Sequence, residues 1–98
     1  MNLSGTYNCT MRTPIGDRFI VLDIHVDANG QITGTLDGED HGCSAFKWGH
    51  VVDDKYLFFN TFPHDCDLTF FGVVEEDGSF YGANFHKGHS SLFDGKRV

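Results

Sequence analysis

Along this chain apolar and polar residues alternate with a period of two, in short segments rich in Val, Ile, Phe, Tyr and Thr. No stretch carries the 3.6-residue period of an amphipathic helix. The alternation predicts eight strands, at 3–12, 18–27, 31–37, 43–49, 55–62, 66–75, 79–86 and 89–97. The breaks between them have turn chemistry: "TPIGD" holds a Pro and a Gly, "DANG" and "EEDG" end in the Asn-Gly and Asp-Gly pairs of tight hairpins, and "HKGH" reads as a two-residue turn.

The pattern also repeats. "TPIGDRFIVLDIHVDANGQITGTL" is echoed by "TFPHDCDLTFFGVVEEDGSFYGANF", which sets Thr13 against Thr61, Gly30 against Gly78, Ile32 against Phe80 and Gly34 against Gly82; Ser44-Ala45-Phe46 then corresponds to Ser91-Leu92-Phe93. Each half reads as a four-stranded meander. The predicted fold class is therefore all-β: an eight-stranded antiparallel up-and-down meander barrel built from two four-stranded half-repeats, with a two-sheet sandwich as its rival. All 98 residues form one domain, 1–98.

Period two assigns the faces. Ile20, Leu22, Ile24 and Val26 share one side of the second strand, and Ile32, Gly34 and Leu36 one side of the third. The inward set continues with Tyr7, Cys9, Phe46, Trp48, Cys66, Leu68, Phe70, Gly72, Val74, Phe80, Gly82 and Phe93. Two features depart from a plain core. Phe71, Val73, Tyr81, Ala83 and Phe85 make the outer side of strands six and seven apolar as well, which predicts a homo-oligomer contact through Phe71, Val73, Tyr81 and Phe85. Asn84 and His86 fall on the inward side, where polar groups need partners or a cavity.

Composition narrows the functional classes. The formal net charge is −7, from 14 Asp and Glu against 7 Lys and Arg, and no basic stripe exists, so neither nucleic acid nor an anionic membrane surface is an expected partner. No apolar run reaches the length of a membrane-spanning helix. The opening "MNLSGTYNC" lacks the basic start and apolar stretch of a secretory signal, which points to a cytoplasmic protein. Cys9, Cys43 and Cys66 are odd in number and far apart, and read as reduced thiols, mostly in the core.

The two ends of the chain resemble the calycin barrels, the group of lipocalins, fatty-acid-binding proteins and streptavidin. Those families open with Gly-x-Trp and close with an Arg on the last strand that packs over the ring. Gly5-Thr6-Tyr7 stands in the first place, with Tyr for Trp, and Phe93-Asp94-Gly95-Lys96-Arg97 in the second. The resemblance implies a meander barrel and names no ligand. The pattern as a whole is also similar to that of small bacterial β-proteins, a likeness that carries no function.

An up-and-down barrel sorts its turns onto two rims. Those near 13–17, 37–42, 62–66 and 86–89 share one, which gathers Asp17, Glu39, Asp40, His41, His64, Asp65, His86 and His89 with Cys43 and Cys66 below. His86 and His89 would be neighbours across their turn. Without a Cys-rich or H-E-x-x-H pattern, however, neither a metal nor a cofactor is expected. Cys66 and His64 would share a strand face with no group to orient them, a poor nucleophile–base pair.

The leading expectation is a small-molecule site at this His-rich mouth for a largely apolar ligand, walled by Tyr7, Phe46, Trp48, Phe70 and Phe80, with His41, His64 and His89 at the opening. Inward Gly34, Gly72 and Gly82 would leave the room. The alternative is a cofactor-independent acid–base enzyme of isomerase, cyclase or lyase type, with His86 moving the proton and Asn84 holding an oxyanion. A third reading is an interaction subunit docking through its apolar outer face, where Tyr56, Phe58 and Phe62 join Phe71, Tyr81 and Phe85.

Overall fold

The computed structural model describes residues 2–39 and 42–98. Eight strands follow one another in chain order round a closed barrel: β1 Gly5–Thr13, β2 Gly16–Val26, β3 Ile32–Gly38, β4 Gly42–Val52, β5 Tyr56–Thr61, β6 Leu68–Val74, β7 Ser79–His86 and β8 His89–Arg97. β8 pairs back onto β1, from Tyr7↔Arg97 to Arg12↔Leu92, so the sheet closes on itself and the sandwich is excluded. One 3-10 turn, Pro63–Asp65, separates β5 from β6. Among the described residues no helix is long and apolar enough to cross a membrane.

The half-repeat is physical. Register pairs Leu22 with Leu36 and Ile24 with Gly34 in the β2–β3 hairpin, and Phe70 with Asn84 and Gly72 with Gly82 in the β6–β7 hairpin. Positions 22 and 70, like 24 and 72, are 48 apart, and so are their partners. The two turns match as well: Gly30 donates to the Asp27 carbonyl and Gly78 to that of Glu75, and both glycines adopt positive φ (78° and 90°).

The ends of the chain meet at closure. The Arg97 side chain lies against Gly5, where a Cβ would sit 2.6 Å from its Cδ. The buried Tyr7 ring stands beside it and donates its hydroxyl to the Leu3 carbonyl at 2.6 Å. Burial raises the Tyr7 pKa, and the Arg97 cation opposes the rise.

The interior is a run of aromatic rings. Centroid distances connect Phe46–Phe59 (4.5 Å), Phe59–Phe70 (5.0 Å), Phe70–Phe93 (5.4 Å), Phe93–Phe80 (4.9 Å) and Phe80–Tyr7 (5.2 Å). Each such pair adds about 0.5–1.5 kcal/mol beyond the area it buries. The space beside Gly72 is occupied: a Cβ there would lie 2.7 Å from both the Phe80 and Phe93 rings. That inward glycine admits packed rings rather than a ligand.

One strand breaks the expected parity. β4 pairs Phe46 with Thr61 but Trp48 with Asn60, so Lys47 is the extra residue of a bulge. Beyond it the faces exchange. Gly49 is buried against Ile32 and Phe59, while Trp48 points outward, 42% exposed, and meets the Phe58 ring edge-on at 4.9 Å. The expected inward Trp48 is corrected on that ground. The thiols also spread further than expected: all three are free, but only Cys9 is in the core, with Cys66 half-buried and Cys43 exposed.

Candidate functional site

The turns do collect on two rims, and the rim of the β1–β2 and β7–β8 hairpins holds a cavity of about 430 Å³. Met11, Leu68 and Asn84 reach it from inside the barrel, Pro14 and Ile15 from the first hairpin, and Cys66, His86 and His89 from the far side. The β7–β8 turn sets the position of the two histidines. Lys87 and Gly88 both take positive φ (47° and 79°), the conformation of a two-residue hairpin turn, and this leaves His86 paired with His89.

His86 is oriented from β6. Its Nδ1 lies 2.9 Å from the Asp67 carbonyl oxygen. A carbonyl only accepts, so Nδ1 carries the proton and Nε2 of the neutral ring is left as an acceptor. The Asp67 segment is itself held by Asn60, whose Nδ2 shares its two protons among Asp67 Oδ1 at 2.6 Å, the Leu68 carbonyl at 3.1 Å and Thr69 Oγ1 at 3.0 Å. Asn60 thus positions the group that orients His86.

The Cys66 thiol rests against the same ring, with Sγ 3.5 Å from Nδ1 and 3.8 Å from Nε2. Burial pushes its pKa up; Lys87 counters and Asp67 reinforces the shift. The sulfur is therefore held as the neutral thiol, the opposite of an activated nucleophile. The partner of Cys66 is His86 across the sheet, not His64 along the chain.

Asn84 is the unusual group. It is 4% exposed, and its Oδ1 is the one buried side-chain polar atom without a hydrogen-bond partner among the described residues. An unpaired buried acceptor costs about 1–3 kcal/mol, so a fold gains nothing by keeping one.

The remaining site expectations separate. His86 and His89 share the cavity; His64 leans instead on the Gly42 backbone, where a Cβ would come within 2.7 Å of its Nε2. His41 lies outside the described residues. Tyr7, Phe70 and Phe80 are fully buried and Phe46 half-buried, all in the packed interior below the mouth rather than around its cavity. Among the described residues no three His, Cys, Asp or Glu side chains converge as a metal-binding group. Sequence reasoning did not find the roles of Met11, Ile15, Leu68 and Ser91; inward parity near the rim was the available signal for Met11 and Ser91.

Fold and site together define an eight-stranded barrel with a packed aromatic interior and a small apolar mouth tipped with polar groups. No family model matches the chain, and comparison with curated proteins finds no match.

Proposed function

We propose that the protein binds a small, largely apolar molecule at the mouth between the β1–β2 and β7–β8 hairpins. One observation carries this reading: Asn84, whose buried Oδ1 has no hydrogen-bond partner, lines a cavity together with Met11, Ile15 and Leu68. A ligand donor directed to Asn84 would satisfy that oxygen, and a second polar group would meet His86 Nε2 or Ser91. The cavity, about 430 Å³, falls at the small end of the roughly 300–1,000 Å³ of ordinary ligand sites. An apolar body with one hydrogen-bonding head fits that lining. The contact of Gly5, Tyr7 and Arg97 supports the calycin-like reading of the chain ends, which implies the meander barrel and names no ligand.

The test is native mass spectrometry of the intact chain, as purified without detergent and after incubation with a set of neutral aromatic amides. A one-to-one adduct that Asn84→Leu loses is the expected result. Absence of any adduct, or adducts retained equally by Asn84→Leu, would refute the site.

The anchored tautomer of His86 favours a second reading, acid–base catalysis at the same mouth. With Nδ1 donating to Asp67, Nε2 is the base presented to a bound carbon acid, and the Asn84 amide N–H donors are available to an enolate oxygen. Burial, which raises the Cys66 pKa, does not favour that thiol as a nucleophile in this reading. Proton–deuterium exchange at the α-carbon of an aromatic ketone, followed by NMR, should be catalysed by the native chain and not by His86→Gln. Equal exchange with both removes this reading and leaves the binding site standing.

A further inference from the structure

The outside of the barrel carries a second feature that the mouth does not use. Register across five strands lines up His50, Phe58, Phe71, Ala83 and Leu92 in one outer row from β4 to β8. A flanking row holds Tyr56, Val73 and Tyr81, and on the other side stand Trp48 and Phe85. Tyr56 stacks on Phe71 at 5.5 Å and Phe58 meets Phe71 edge-on at 5.7 Å, which makes a ridge. Beside it a cleft of about 700 Å³ opens over Ala83, walled by Phe71, Tyr81, Phe85 and Leu92, with Asp94 at its edge.

The first half-repeat shows that the fold does not require this. At the positions 48 residues earlier, Phe71, Val73, Tyr81, Ala83 and Phe85 are matched by Asp23, His25, Thr33, Thr35 and Asp37, in the same register. Strands of this barrel therefore form with polar residues at these outer positions, although Phe19 and Val21 remain exposed further along β2. The aromatic face is additional to folding.

From the ridge, the cleft and the charge pattern, we infer that this face is a two-fold contact with a second copy of the chain, the ridge of each entering the cleft of the other. A two-fold axis places a face on itself, so any charge at its centre would meet its like. In a chain of net charge −7, the row from His50 to Leu92 contains no Asp, Glu, Lys or Arg, and the flanking row meets a charge at Asp94, opposite Tyr81. Among the described residues the charges bordering this face are already engaged: Asp94 at the cleft edge is paired bidentately with Arg12, Glu75 accepts from the Tyr81 hydroxyl, and Lys55 stands over the Tyr56 ring. A charged partner would find no unpaired charge along the central row to recognise.

Area agrees. Tyr81 is 44% exposed, Phe85 43% and Leu92 68%, and with Trp48 and Phe71 they present on the order of 400 Å². That is about half of the roughly 800 Å² each partner gives to a standard interface, leaving the rest to a polar rim.

Sedimentation velocity across a dilution series tests this. The native chain should sediment as a species of twice 11.0 kDa that dissociates on dilution. Ala83→Arg, which fills the cleft with charge, and Phe85→Asp, which copies Asp37 of the first half, should each raise the dissociation constant at least about thirtyfold. Far-UV circular dichroism should stay unchanged. Phe85→Asp keeps the test open if Ala83→Arg does not fold. A native chain that is monomeric at every concentration overturns the inference, whether or not it binds neutral phosphatidylcholine vesicles. So does a dimer that both variants leave intact.

Discussion

The two halves of the barrel share most of their inner faces and differ at the proposed mouth and on the outer face. β2–β3 and β6–β7 have the same register and the same glycine-ended turns. Inside, Leu22, Ile24, Val26 and Ile32 of the first half become Phe70, Gly72, Val74 and Phe80 of the second, apolar or small throughout. Two departures stand out. Inward Leu36 becomes Asn84, and the polar outer residues of the first half become the aromatic face of the second. What the halves share is what closure and core packing demand. What the second half adds, an unpaired polar group in the core and most of an aromatic face in solvent, runs against folding energetics in both places and so supports a binding role.

The largest expected effects fall on the shared inner face. Phe70→Ala should lose about 3–5 kcal/mol and Leu22→Ala about 2–5 kcal/mol in urea unfolding. A loss below about 1 kcal/mol at Phe70 alone would break the equivalence of the two cores. Next comes alkaline pH. Burial, with Asp94 adding to it, pushes the Cys9 thiol up to about 12 from 9.0. The unfolded chain ionises this thiol first, so its contribution to stability is complete below about pH 9 and is lost as pH rises from there towards about 12. By about pH 11 the loss is about 2–3 kcal/mol. Cys9→Ala should flatten this fall in unfolding curves taken at neutral and alkaline pH; an unchanged fall assigns it elsewhere.

Smaller effects address the departures. Asn84→Leu, which restores the residue of the first half, should raise stability by about 1 kcal/mol because an unsatisfied acceptor leaves the core. A clear loss of stability would mean that Asn84 serves the fold. Phe85→Asp should change the unfolding free energy of the dilute monomer by no more than about 0.5 kcal/mol, since its counterpart Asp37 already sits on such a strand. A larger loss would make the aromatic face part of the fold after all.

Much of this was legible in the residues. Alternation located all eight strands within a few positions, turn chemistry located the hairpins, and the echo between halves anticipated closure. Parity placed Asn84 and His86 inward. Trp48 was misplaced because a bulge leaves no mark on the pattern: in "AFKWGH" the alternation of Phe46 and Trp48 continues across the point where the backbone inserts Lys47. The Cys66–His86 contact was hidden for another reason. It depends on the Pro63–Asp65 turn, in which His64 and Asp65 take positive φ (46° and 62°), and on Asn60 fixing the segment that follows. Neither has a period. Whether the barrel was hollow lay equally beyond sequence, since an inward glycine admits a ligand or a ring, and at Gly72 it admits rings.

The most direct test of binding at the mouth is a 15N–1H NMR titration of the native chain with neutral aromatic amides, watching the side-chain amide of Asn84. That signal should shift saturably, together with the backbone amides of His86, Ser91 and Ile15. An Asn84 signal that stays fixed at every concentration, with shifts confined to the outer aromatic face or absent, would contradict the site.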